Sequence, residues 1–299
     1  MGMLRSNVPN QLLADALPVL NALIYDEYEK YPDYLSKVFR MESTGQWGEQ
    51  SLSMAGIKAA VQKNEGEDVA FDQPIEGFSR TILPVTYAIA VSFSEELIED
   101  DRLNMVQDTY RSLGLGMYQT RQIVGFNIYN NGFTDTGPDG SSLFNATHTM
   151  IGGHTYGNRP STDIALSVAG LREMEIDLMR QVNHRNINIS VMPATIAYPP
   201  ELKQTAQELV GSPDRPDTPN RSINVRYQAY EQVCTPFLTS TTAWFAMTVP
   251  SQHQVKFLDR LAPQTETWQD KASGDVNTKI RSRFTASYGD YIGTWGTTG

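Results

Sequence analysis

The sequence predicts an α+β fold, and three observations predict it. Leu103, Val106, Tyr110, Leu113, Met117, Val124 and Ile128 recur at three- and four-residue spacing, the mark of one long amphipathic helix. Just before them, Val85 to Phe93 alternates strictly, the mark of a half-buried strand. Further on, an apolar strand candidate at Val191–Tyr198 is followed by a helix and then a second strand ending near Val233. At 299 residues the chain has room for about two domains and for a core that needs no cross-links.

The first segment, Gln11 to Lys30, carries Leu12, Leu13, Ala16, Leu17, Leu20, Leu23 and Ile24 on one helical face. Pro18 predicts a kink or short break, because it has no N–H and its ring crowds the preceding turn. Tyr31-Pro32-Asp33-Tyr34 closes the segment, which reads as an arm that packs on something else. Glu42 to Gly77 holds Gly45, Gly48, Gly56, Gly66 and Gly77 and few apolar residues. A connection this long with little packing of its own is a functional loop or a linker. The strand that follows sets Val85, Tyr87, Ile89, Val91 and Phe93 on one face and Thr86, Ala88, Ala90 and Ser92 on the other. Lys58-Ala59-Ala60-Val61-Gln62 is expected to pair with the return side, making a long two-stranded projection.

Ser94 is placed to cap the next helix, with Glu95 and Glu96 where the helix dipole favours acids. The helix should run to about Asn130. Gly114, Gly116 and Gly125 inside it each cost up to ~1 kcal/mol against Ala, so they read as close-packing points or a bend. Asn130-Asn131-Gly132 predicts a left-handed cap at its end. Asp135 to Gly140 is a turn cluster. Ser167 caps a second helix through Leu171, Met174, Leu178, Met179 and Val182. Pro199-Pro200 opens a third, with Pro in its first turn, and Gly211 ends it. Ser212 to Arg221, with Pro213, Pro216 and Pro219, reads as a mobile loop. Ala243–Val249, Val255–Arg260 and Asn277–Tyr288 read as strands.

Charge and composition narrow the partners. The 24 Lys and Arg stand against 34 Asp and Glu, a formal charge of −10. An acidic chain with no long basic stripe is a poor free DNA binder, since such binding rests on Lys and Arg displacing counterions. The densest basic cluster, Lys279-Ile280-Arg281-Ser282-Arg283, has strand-like alternation and reads as a solvated or salt-bridged strand face. The single cysteine, Cys234, cannot form an intrachain disulfide. No apolar run approaches the ~18 residues that span a bilayer, and no signal-peptide core opens the chain. The expectation is a soluble cytosolic protein with no membrane partner.

Catalytic constellations are missing. The four histidines are His148, His154, His184 and His253, and none forms an H-x-x-x-H pair or a Cys–His cluster. A metal site from His148, His154 and Asp163 competes with a loop-ordering role for one imidazole. Asp135 to Gly140 lacks the calcium-loop spacing and its closing Glu. There is no nucleophile elbow and no phosphate-binding Gly loop. Gly114-Leu115-Gly116 lies inside a helix, away from any dinucleotide context, and nothing nominates a base for Cys234. No enzyme activity and no cofactor are expected. Arms and loops that cannot bury themselves bury against another subunit, so the pattern points to self-assembly.

The order of features resembles the major capsid proteins of tailed bacteriophages, of the Hong Kong 97-type fold, with Mu-like head subunits the nearest in look. Glu42-Ser43-Thr44 and the Gly-rich run after it resemble the start of the extended loop. Glu65-Gly66-Glu67 and Glu76-Gly77-Phe78 resemble its tip and return. Tyr87 to Leu97, with Glu99-Asp100-Asp101, resembles the junction of strand and spine helix. Asp139-Gly140, Leu143-Phe144 and His148 resemble the segment after that helix, Tyr198-Pro199-Pro200-Glu201-Leu202 the strand–helix turn of the outer domain, and Asp290-Tyr291 the closing strand region.

The resemblance implies an N-terminal arm over 1–41, an extended loop and return strand over 42–93 and a peripheral domain with the spine helix over 94–155. It further implies an axial domain over 156–261 and C-terminal strands over 262–299. Copies would form the pentamers and hexamers of an icosahedral shell around packaged double-stranded DNA, with scaffold and portal proteins as partners and a decoration protein as a further one. The protein would assemble in the host cytoplasm and end in the virion. Because the chain begins almost at the arm, a separate scaffold or prior cleavage is implied. Some relatives cross-link a loop lysine to an asparagine; Lys58 and Lys63 lie in that loop, with no partner asparagine identifiable.

Trp47, Phe71 and Phe78 are candidate subunit anchors, or else incidental apolar residues on a hairpin. Lys58, Lys63, Glu95 and Glu96 are the charged candidates for the same contacts. Three alternatives stay open: an encapsulin-like compartment of the same fold, an acid-rich hydrolase using His148, His154 and carboxylates, and another virion component such as a tail or decoration protein.

Overall fold

The computed structural model describes residues 8–69, 71–94, 96–97, 105–214 and 223–299, with backbone alone for 8–17 and Met54. They fall into two units. Among them no helix is long and apolar enough to cross a membrane.

The first unit comprises the described parts of Met1–Asp33, Pro84–Val124 and Asp259–Thr285. Helix α1 (Val8–Glu29) runs through Pro18 without ending. Its last turn is closed by Lys30 N–H donating to Asp26 O at 3.1 Å. The expected break is therefore absent: one missing backbone donor does not stop a helix whose later turns are intact. Ser94 Oγ accepts from Leu97 N–H at 3.3 Å, as a cap should. Glu96 is exposed, and Glu95 lies outside the described residues.

Strand β4 (Val85–Phe93) pairs antiparallel with strand β11 (Val276–Tyr288), from Val85 opposite Phe284 to Phe93 opposite Val276. This corrects the expectation for Lys58–Gln62, which forms no strand. The alternation in β4 sets its faces but not its partner. β11 offers the matching period, with Thr278, Ile280, Ser282 and Phe284 all buried. Tyr87 stacks on Phe284 at 4.6 Å and Phe93 on Tyr110 at 5.9 Å. Tyr110 belongs to the long helix α3 (Met105–Asn130), and its hydroxyl meets Thr278 Oγ1 at 2.6 Å.

Gly114 is where α1 approaches α3. A Cβ there would lie 2.2 Å from Ile24 O, whereas Gly116 faces open space. Arg121 makes a two-pronged ion pair with Asp259, both contacts 2.5 Å.

The second unit comprises Tyr34–Leu83, Gly125–Leu258 and Ala286–Gly299 in their described parts. Helix α2 (Leu35–Val38) leads to strand β1 (Arg40–Ser43), which neighbours the long strand β10 (Val255–Gln269) in its sheet. Strands β2 (Glu49–Ala55) and β3 (Ile75–Ile82) form a hairpin, with Glu49 opposite Ile82 and Ala55 opposite Ile75. Strands β5 (His148–Thr149) and β6 (Thr155–Tyr156) make a small second ladder.

A second sheet runs β12-β9-β7-β8, with β7 (Thr195–Tyr198), β8 (Glu231–Cys234), β9 (Trp244–Met247) and β12 (Thr294–Thr297). β7 and β8 are parallel, as a strand–helix–strand crossover requires. The crossover begins in a 3-10 turn at Pro200–Leu202, continues as α5 (Lys203–Ala206) and ends in a π turn at Gln207–Gly211. Helix α4 (Val168–Met179) is capped by Ser167, whose side chain accepts from Gly170 N–H, and stops short of Val182. Its Leu171, Met174 and Leu178 pack with Ile196, Trp244 and Trp295. Both indoles are satisfied: Trp244 donates to Ile164 O at 3.0 Å and Trp295 to Asp177 at 2.9 Å.

Gly132 is not a left-handed cap, since the positive-φ glycines do not include it. It is glycine for space: a Cβ would sit 2.7 Å from the Phe144 ring. Pro216, Pro219 and the rest of 215–222 lie outside the described residues.

Candidate assembly site

The connection between β2 and β3 carries the most exposed large apolar side chain among the described residues. Phe71 is 97 % exposed, Val61 79 % and Trp47, just before β2, 70 %. From Gly56 to Pro74 the eighteen described residues form neither strand nor helix. What order the loop has is polar and local. Lys58 N–H donates to Asp72 Oδ2 at 2.8 Å, and Asn64 and Glu67 close a turn with Gly66 at φ +84°. The hydrogen bonds from Asn64 hold the Glu67 carboxyl below its ordinary range. The Lys58 and Lys63 side chains are exposed. Such a loop gains no core by folding on itself, so its apolar groups stay available for another surface.

The base of the hairpin is held firmly. Ser53 of β2 bonds both His184 Nε2 and Asp290 Oδ2 at 2.8 Å, and His184 meets the same Asp290 oxygen at 2.8 Å. Phe78 of β3 lies edge-on to the His184 ring at 6.2 Å. Phe78 is thus half-buried at the base, while Trp47 and Phe71 remain exposed. Gly77 and Gly289 allow the close approach: a Cβ would stand 2.0 Å from Ile151 Cδ1 and 2.1 Å from Ser51 Oγ respectively. Arg185 ties the loop's return by donating to Gln73 O at 2.7 Å. Lys256 sits between Glu42 and Glu49 at 2.9 and 3.4 Å.

A second buried cluster adjoins it. His148 bonds Asp139 through Nδ1 at 2.6 Å and Asn158 through Nε2 at 3.0 Å, and Tyr291 stacks on its ring at 3.8 Å. Burial works against ionisation of Asp139, but its hydrogen bond to His148 and the charge there outweigh it, leaving the carboxyl below its ordinary range. Burial, then the negative charge of Asp290, pushes the Tyr291 phenol far up. Phe78, His148, His184 and Tyr291 enclose a cavity of about 10 Å³, room for about one water.

This arrangement supports holding rather than catalysis. Ser53, His184 and Asp290 have the composition of a hydrolytic triad but not its geometry. Serine and carboxylate both address Nε2, and His184 Nδ1 has no partner among the described residues. A relay needs the carboxylate on Nδ1. His148, His154 and Asp163 are not brought together: His148 is bound as above, His154 is exposed, and Asp163 pairs with Arg159 at 2.8 Å. Among the described residues no three potential metal ligands cluster. Sequence spacing gave no sign of the Ser53–His184–Asp290 clasp, because its members lie 131 and 106 positions apart.

The model of the phage capsid protein family matches residues 78–295. The chain belongs to that family. It is a major capsid protein, a structural subunit of the phage shell, and its fold is of the Hong Kong 97 type. The capsid protein is similar in structure to the procapsid protein of bacteriophage JBD30 at 13 % identity and a TM-score of 0.55, covering 96 % of this chain and 75 % of that one. It is similar also to the virus-like particle protein of Pyrococcus furiosus at 7 % identity and a TM-score of 0.56, covering 93 % and 97 %. A third similarity is to a protein of Microbacterium phage Oxtober96 at 11 % identity and a TM-score of 0.55, covering 89 % and 92 %. No curated protein matches the sequence.

Proposed function

We propose that this capsid protein closes, as pentamers and hexamers, into an icosahedral shell around double-stranded phage DNA. It carries out no chemistry of its own. The observation that carries the reading is the family match over 78–295. The exposed loop with Phe71 and the clasp at its base support it, because a rigidly anchored hairpin with an uncovered apolar end is suited to subunit contact. Trp47, Phe71, Lys58 and Lys63 are the contact residues in this reading, with Glu95 and Glu96 as further charged ones, and Phe78 acts through the anchor. Residues 1–41 serve as the arm, 42–93 as the extended loop and its return, 94–155 as the peripheral part, 156–261 as the axial part, and 262–299 as returning strands. A scaffold, a portal and a decoration protein are the expected partners, and assembly takes place in the host cytoplasm before the protein enters the virion.

A shell of the same fold around protein cargo is the second reading; a virus-like particle protein shares that fold. Negative-stain microscopy of the purified protein, alone and co-expressed with its genomic neighbours, tests both. Closed shells or hexamer and pentamer rings are expected, with nuclease-protected DNA in the filled ones. A uniform monomer or dimer under both conditions would overturn the assembly reading, and shells that retain only protein would favour the second.

A further inference from the structure

The outer face of the β4–β11 pair carries the densest positive charge of an acidic protein. Lys279, Arg281 and Arg283 alternate along β11 with the buried Thr278, Ile280, Ser282 and Phe284. Alternate residues of a strand point the same way, about 7 Å apart, so the three cations form a straight stripe. Across the ladder they face Ala90, Ala88 and Thr86, so only small side chains border the stripe on that side. On β10, Glu266 pairs with Lys279 at 2.7 Å. Arg281 and Arg283 have no carboxylate at ion-pair distance among the described residues, and Arg283 Nε is buried without a partner. Trp268 is 43 % exposed beside the stripe, with Lys279 Nζ 5.3 Å from its ring. Three like charges in a row repel one another, and among the described residues one carboxylate pairs with them, although the chain carries an excess of ten negative charges.

We infer that Lys279, Arg281 and Arg283 form a binding stripe for the phosphodiester backbone of duplex DNA, read without regard to sequence. The inference rests on the reading of the shell as a genome container and assigns this face of the sheet to its lumen. A repeating polyanion needs evenly spaced cations and no side-chain pockets. The flat bed of Thr86, Ala88, Ala90 and Ser92 offers no pocket. An acidic protein segment, by contrast, draws its specificity from pockets for its side chains.

The test is fluorescence anisotropy of a short random-sequence DNA duplex titrated with the full-length chain across a salt series. Wild type should lose affinity linearly in log–log form as salt rises. Arg281→Gln with Arg283→Gln should bind more weakly and lower that slope by about 1.8, at ~0.9 for each phosphate no longer neutralised. The single Arg281→Gln, at an exposed position, should lower it by ~0.9, so the result does not depend on the double variant folding. Arg172→Gln with Lys203→Gln, an equal charge change elsewhere, should leave the slope as it is. Unchanged slopes in the stripe variants, or an equal decrease in the control, would overturn the inference. So would a stripe variant that binds the duplex like wild type but no longer assembles, since that places the stripe against another subunit. Failure of the wild-type chain to form shells would sink the container reading without altering the titration; unchanged slopes with intact shells would sink the stripe alone.

Discussion

His253 is wholly buried, with Val255 N–H donating to its Nδ1 at 3.3 Å and no partner for Nε2 among the described residues. Burial first, and the positive charge of Arg40 second, push its pKa down from 6.5 to about 4. The unfolded ring takes a proton near 6.5 and the folded ring only near 4. Between those values the unfolded state binds more protons, and stability rises with pH. The contribution is complete above about pH 6.5 and is lost as pH falls towards 4, a change on the order of 3 kcal/mol. The urea midpoint of wild type should therefore drop between pH 7 and 5. His253→Asn, which cannot titrate, should show a smaller drop in that range, though a lower midpoint at pH 7. Parallel curves for the two proteins would remove His253 as the cause. Asp139 acts in a separate, lower window. Its depressed carboxyl contributes above the ordinary carboxylate pKa of about 4, and that contribution is lost as pH falls through its folded value.

At the scale of an element, α3 separates two effects that glycine usually combines. Gly114 and Gly116 sit two residues apart in one helix, and alanine is the better helix former at both by up to ~1 kcal/mol. At Gly116 the added methyl meets nothing within 4 Å; at Gly114 it would meet the backbone of Ile24 at 2.2 Å. Gly116→Ala should raise the urea midpoint by the propensity gain. Gly114→Ala should lower stability by about 1–3 kcal/mol, because α1 must move off α3 or strain in place. A rise for both would mean that α1 does not rest on α3 at that point. The β2–β3 hairpin follows the same logic at its base, where Gly77 and Gly289 admit Ile151 and Ser51. Precision is concentrated there and absent from the loop beyond it.

Across the whole molecule, charge opposes the association that apolar contacts drive. Each chain carries a formal −10, so copies repel one another at low salt over about 30 Å and at physiological salt over about 8 Å. Phe71 and Trp47 are uncovered and ready for contact. Self-association should therefore strengthen as ionic strength rises, read as increasing light scattering along a salt series at fixed protein concentration. Scattering that falls with salt would show instead that attraction between opposite charges, such as loop carboxylates on basic groups of another copy, holds the shell together. The same series separates assembly from DNA binding, which weakens with salt.

Periodicity by itself determined the long helix to Asn130, the faces of β4 and β11, the Ser167 cap and the strand–helix–strand unit. Each of these depends on neighbours within a few residues, and hydrophobic spacing records that directly. The order of these elements sufficed for the family, and the low-core loop stood out because glycine and polar residues cannot build a core. Only the tertiary structure decided which strands pair, so β4 took β11 and left Lys58–Gln62 without a ladder. It alone revealed that Gly132 yields space to Phe144 instead of turning the chain, and that Phe78 belongs to the anchor while Phe71 stays uncovered. It alone assembled Ser53, His184 and Asp290. The β4–β11 pairing and the Ser53–His184–Asp290 clasp are set by contacts between residues more than a hundred positions apart, and no local pattern carries that information.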